Sequence, residues 1–184
     1  MIITGIAHAP IRLMERSSLP SAELIHLARL ALRQYGATRV ITSLAPGWEQ
    51  ALARAAFEAE IPFTVAVPFP GRDQEWKKED RAHYYKLIAV ADRVNRIAER
   101  YHVLATLDGH LWQVDRADIL LALWDYDFQG ETYDTMQYAT RANKQVINLW
   151  EDWSHLRELR KTLRVRTVPA PALKVGARVY ERKD

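Results

Sequence analysis

The chain has 184 residues, of which 48% are apolar and 27% charged, with a formal charge of +3. This is the mix of a globular protein with one substantial core, and it excludes a disordered tail. No apolar run approaches the roughly 20 residues that span a bilayer, the N-terminus lacks a signal-peptide pattern, and the absence of cysteine excludes disulfides and thiolate chemistry; a cytoplasmic setting is the expectation.

Apolar periodicity gives alternating strands and helices. "IITGIA" (Ile2–Ala7) reads as a first strand. Ser18 or Ser21 then caps a helix running to about Tyr35, with Pro20 in its first turn. "VITSLA" (Val40–Ala45) is the second strand, and the apolar spacing of Trp48, Ala51, Leu52, Ala55, Ala56 and Ala59 marks the clearest helix. A third strand lies within "PFTVAVPFP" (Pro62–Pro70). Tyr84 to Ala98 reads as one long helix, Tyr101–Leu107 as a short strand, and Leu111–Arg116 as a helical turn. The strand Ile119–Trp124, the helix Thr132–Asn143, the strand Val146–Trp150 and a helix near Trp153–Leu163 complete the pattern.

Such alternation requires crossover connections and hence a mostly parallel, doubly wound Rossmann-like sheet with helices on both faces. One α/β domain is expected over residues 1–163, followed by a basic tail or edge strand over residues 164–184. The basic C-terminal stretches read as a solvated helix face and a frayed tail more readily than as a phosphate contact.

Ligands of such sheets sit beyond the carboxyl ends of the strands. The loops expected there are Gly5–Arg12, Ser43–Gly47, Pro68–Arg72, Trp124–Thr132 and Trp150–Asp152. They offer Gly5, His8 and Arg12, then Ser43 and Gly47 before a helix, Arg72, Asp125, and finally Gly130 and Thr132 before another helix. Two helix starts and an arginine suit a phosphate, and carboxylates suit sugar hydroxyls. Each feature has a plainer role: Thr132 as an N-cap, Gly47 as a relaxed turn, Asp125 and Asp127 as turn residues, and the tryptophans as core. Trp76, in polar surroundings, is the one expected near a pocket mouth. No His or carboxylate spacing suggests a metal site, and no cofactor is expected.

The blocks "TGIAHAPIRL", "SLAPGWEQALARAAFEAEIPFTVAVPF", "YYKLIAVADRV" and "WQVDRADILLALWDYDFQGETYDTMQYATRANKQVINL" resemble the SLOG superfamily. Their order is most similar to its YpsA-like branch, over about Ile2 to Trp150; DprA/Smf and Lonely Guy phosphoribohydrolase proteins are related members. The resemblance implies a Rossmann-like sheet that binds nucleotides or nucleotide-derived ligands, often as a dimer. In Lonely Guy members it also implies hydrolysis of the N-glycosidic bond of nucleoside 5′-monophosphates, through a "PGGxGTxxE" motif. Here that stretch reads "FQGETYDT": Gly130 and Thr132 stand for the phosphate-binding pair, Glu131 interrupts them, and Thr135 occupies the place of the acid. Glu131 and Asp134 are therefore the candidate catalytic carboxylates. An arginine that the family implies before "W-x-V-D" is replaced by Gly109-His110, with Arg12, Arg72 or Arg116 as substitutes. The leading expectation is a nucleotide-binding sensor or regulatory protein. The alternatives are an N-ribosyl hydrolase or transferase and a DprA-like nucleic-acid-binding protein.

Overall fold

The computed structural model describes residues 1–13 and 19–163. Among these residues six strands alternate with six helices: β1 (Ile2–Ala7), α1 (Ala22–Gln34), β2 (Arg39–Thr42), α2 (Trp48–Glu58), β3 (Phe63–Val67), α3 (Lys78–Ile88), β4 (Arg93–Arg96), α4 (Ala105–Arg116), β5 (Ile119–Leu123), α5 (Glu131–Arg141), β6 (Gln145–Asn148) and α6 (Trp150–Leu163). The strands form one parallel sheet in the order β4-β3-β2-β1-β5-β6. The chain winds outward from β1 to β4 and then returns to the other side of β1 with β5. The order reverses between β1 and β5, so the expected single-domain, doubly wound fold is the observed one.

Two apolar layers flank the sheet. On one face Ile3, Val40 and Leu121 pack with Leu24, Ala28, Trp48, Leu52, Tyr84 and Trp153. On the other face Ile6, Leu120 and Ala122 meet Val114 and Ala139. Burial on both faces explains why β5 reads as the unbroken run "ILLAL", all of it buried. Gly5 belongs to the first layer: a Cβ there would collide with Leu52 and approach Trp48 Nε1 to 2.8 Å. Its glycine lets α2 lie close against the centre of the sheet.

Local sequence sets several boundaries. Ser21 caps α1, its hydroxyl accepting from Leu24 N–H at 3.2 Å; Pro20 therefore precedes the cap and lies outside the helix. The long helix expected to reach Ala98 ends at Ile88 instead. After a short turn, Asp92 pairs with Arg39 at 2.6 Å and Arg93–Arg96 join β3 as an edge strand. Its sequence, RVNR, is largely exposed and carries little strand signal; charge on an edge strand discourages pairing with another chain. The short strand expected at Tyr101–Leu107 is also absent. Tyr101, Val103 and Leu104 are exposed, and α4 begins at Ala105. The expected tail at residues 164–184 lies outside the described residues. Among the described residues no helix is long and apolar enough to cross a membrane.

Candidate functional site

Because every strand is parallel, the loops following them share one edge of the sheet. Across the reversal point, the loop after β1 is tied to the loop after β5. The Arg12 guanidinium donates to Asp125 Oδ2 at 2.8 Å and to Asp127 Oδ2 at 2.9 Å. His8 Nε2 lies 2.8 Å from Asp125 Oδ1, an ion-pair approach rather than an aligned hydrogen bond. Asp127 N–H donates to Asp125 Oδ1, and the Trp124 indole donates to the Asp127 carbonyl at 2.6 Å. Burial alone would raise the Asp125 carboxyl, but the Asp127 N–H, His8 and Arg12 together hold it below the ordinary range. The two aspartates thus brace the loop, and Asp125 stays ionised.

Beside this brace lies a buried polar cluster. Glu49, in the first turn of α2, is only 4% exposed and folds back so that Oε2 accepts from Ser43 N–H at 2.6 Å. His110, from α4, brings Nε2 to 3.6 Å from Glu49 Oε1. Arg72 donates to the Ser43 carbonyl at 3.1 Å and lies over the Trp76 ring at 5.2 Å. Burial opposes ionisation of Glu49, yet His110, Arg72 and the Ser43 side chain outweigh it and hold its pKa below the ordinary value. Burial likewise lowers the Arg72 pKa, against the fields of Glu49, Tyr84, Glu131 and Asp73. An arginine remains charged under such a shift, so the cluster holds a half-buried cation beside a dehydrated carboxylate.

The two helix starts at this edge differ. Gly47 precedes α2 with φ 90°, but a Cβ there would lie 3.2 Å from Pro10, and the nearby Ser43 amide is already taken by Glu49. Gly130 precedes α5 with φ 85°, is exposed, would place a Cβ in open space, and supplies no side-chain cap. The first amides of α5 are therefore free of a side-chain cap and face the outside, with a glycine that lets a ligand approach closely.

Of the residues expected at a site, His8, Arg12 and Asp125 come together in the brace, and Ser43 and Arg72 in the cluster. Gly130, Glu131 and Thr132 stand at the α5 start, with Arg72 in the field of Glu131. Gly5 lies within β1 beneath this edge, and Gly47 is covered by Pro10. Asp134 is exposed on α5, while Thr132 is buried. Thr135 is buried too, its hydroxyl donating to the Glu131 carbonyl at 2.6 Å. Arg116 is stacked at 4.1 Å on Trp112 at the far end of α4, beside the opposite edge of the sheet, and cannot serve here. Trp76 does border the cluster, edge-on to Tyr84. Glu49 was not among the expected residues, and His110 figured only as a replacement. Their one sequence signal is polarity on helix faces that are otherwise buried.

A model of the YspA SLOG family matches residues 25–151. No curated protein matches the chain. Among solved structures, the fold is similar to that of DNA processing protein A (DprA) from Streptococcus pneumoniae, with a TM-score of 0.57 and 13% identity. The likeness covers 85% of this chain and 56% of that one, so this chain spans little more than half of its neighbour.

Proposed function

The chain belongs to the YspA SLOG family, and on that premise we propose that it binds a nucleotide or nucleotide-derived ligand at the C-terminal edge of its sheet, as a sensor or regulatory component. The observation that carries this reading is the exposed start of α5, without a side-chain cap, with the half-buried cation of Arg72 in the field of Glu131. Backbone donors at the positive end of a helix suit a phosphate, and a half-buried guanidinium adds charge-assisted bonds. The α2 start, filled by Glu49 and Pro10, is left to structure.

Calorimetry with adenosine monophosphate and adenine tests this. The nucleotide is expected to bind and the free base to bind far more weakly. Equal affinities would refute the phosphate cradle.

Cleavage or transfer of an N-ribosyl bond is the alternative at the same place. It requires a carboxylate against the sugar carbon that becomes positive. Glu131 is the remaining candidate, since it stands at the helix start in the field of Arg72, whereas Asp134 lies further along α5 and Thr135 contributes a buried hydroxyl. A nucleic-acid partner rests on a fold likeness alone, and the basic tail that would favour it lies outside the described residues.

A further inference from the structure

Ahead of α5, the loop after β5 gathers four aromatic rings that neither the brace nor the buried cluster uses. The Trp124 and Tyr133 rings lie 25° apart with centroids at 5.9 Å, and both residues are half-buried. Trp124 packs on the apolar layer of Ile6, Leu120 and Ala139. Phe128 stands across this pair, at 87° to Trp124 and 74° to Tyr133, with centroids at 5.1 and 5.4 Å. Tyr126 approaches Trp124 to 5.0 Å. The two outer residues stay open, Tyr126 with 48% and Phe128 with 66% of its surface exposed.

The loop holds these rings in place. Asn148 of β6 accepts from the Trp124 amide and donates to the Trp124 carbonyl, and Arg12 grips the aspartates on either side of Tyr126. Tyr126 itself has φ 67°, a left-handed conformation that is unfavourable for a bulky residue and persists only where its surroundings impose it. Its hydroxyl donates to Glu151 of α6 at 3.4 Å. A strained, braced turn that keeps apolar rings in water is a poor solution for stability alone.

The position of the rings selects their occupant. Phe128 is two residues before Gly130, so their Cα atoms lie within about 8 Å of each other. Its ring neighbour Tyr133 belongs to the first turn of α5. The group thus reaches across the helix start whose amides lack a side-chain cap. For a protein partner the patch is small: two aromatic side chains offer at most about 500 Å², against about 800 Å² on each side of a stable interface. Asp127, Gln129 and Glu131 border it with polar groups. A single heteroaromatic base matches both the area and the chemistry, because every base has a π face.

We infer that Phe128 and Tyr126, backed by Trp124 and Tyr133, form a stacking platform for the base of a nucleotide whose phosphate sits at α5. The inference rests on the nucleotide-binding reading and adds a preference to it. Stacking follows ring area, so purine nucleotides bind ahead of pyrimidine nucleotides.

Titration calorimetry of the full chain with adenosine 5′-monophosphate, cytidine 5′-monophosphate and ribose 5-phosphate separates base from phosphate. The adenine nucleotide is expected to bind about tenfold more tightly than ribose 5-phosphate, the yield of one base on an aromatic ring, with the cytosine nucleotide between them. Phe128→Ala, at an exposed position outside the core, should remove most of that advantage and leave ribose 5-phosphate unchanged. Phe128→Tyr keeps a ring and should retain the advantage; Phe128→Leu keeps apolar bulk without a ring and should lose it. Equal binding of all three ligands to the wild type would overturn the platform and leave phosphate binding standing, whereas failure of all three to bind would overturn both. An adenine advantage unchanged in Phe128→Ala would put the base elsewhere, and an equal loss for nucleotide and ribose 5-phosphate would make Phe128 a support of the loop; either result overturns the platform. An oligoadenylate that binds far more tightly than the monophosphate, through Phe128, would assign the rings to a nucleic-acid strand. A dimer on size-exclusion chromatography that Phe128→Ala dissociates would assign them to a second copy of the chain. Both outcomes would overturn the assignment to a mononucleotide base.

Discussion

Glu131 and Asp134 are a few residues apart in one helix, yet the fold gives them different opportunities. Both are exposed, but Glu131 stands at the start of α5, within the field of Arg72, whereas Asp134 lies further along the helix. For a protein that only binds, Glu131→Gln should change nucleotide affinity by a modest factor of about two to five and Asp134→Asn should leave it unaltered, as calorimetry would show. For a hydrolase, Glu131→Gln should instead cost about a hundredfold or more in turnover. Release of free base from a nucleoside monophosphate by the wild type, lost in that variant, would decide for the enzyme. His83 offers a separate readout away from this edge. Its Nδ1 donates to Gln50 Oε1 at 2.8 Å, and burial, aided by Arg54 and Lys86, lowers its pKa to about 4. A base depressed in the folded state binds fewer protons than in the unfolded chain, so its burial is without penalty above the ordinary value of 6.5 and increasingly destabilising as pH falls from there towards 4. His83→Gln should flatten the fall in melting temperature between pH 7 and pH 4.5, by an equivalent on the order of 1 kcal/mol after solvent screening.

At the scale of elements, tight apposition of α2 and β1 is the feature most exposed to test. Gly5→Ala forces a methyl into Leu52 and Trp48 and should destabilise the fold by about 1–3 kcal/mol in denaturant titration, with no change expected in ligand preference. The sequence legibly marks the elements where apolar period and punctuation agree. β1 and β5 occupy nearly the span that their runs suggest, and α2 follows its alanine-rich stripe. It misleads where tertiary contact overrides pattern. Leu87, Ile88, Ala91 and Val94 keep a helical spacing, but Asp92 is held by Arg39 and the backbone beyond it pairs with β3. Tyr101, Val103 and Leu104 look like strand residues and are simply exposed. At the site, Gly130 before α5 and Thr132 in its first turn are legible as a helix start, whereas the return of Glu49 from α2 to the end of β2 depends on a contact that no periodicity encodes.

For the whole molecule, the sheet order has a temporal consequence. β1 leaves the ribosome before β2 to β6 and lies at the centre, yet one of its two neighbours is β5, with Ile3 paired to Ile119. A chain truncated before Ile119 contains β1 to β4 and leaves one side of the central strand open. Such a fragment should aggregate on size-exclusion chromatography, while a chain continuing through Leu163 elutes as a folded species. Long-range parallel pairing of this kind also slows folding, because the ends of a large loop must meet before any contact rewards them. During synthesis the backbone groups of β1 that will bond to β5 wait unpaired until β5 has emerged. The same central placement that sets the loops after β1 and β5 side by side, and lets Arg12 join them, leaves the nascent chain with an open central edge for the interval before that strand arrives.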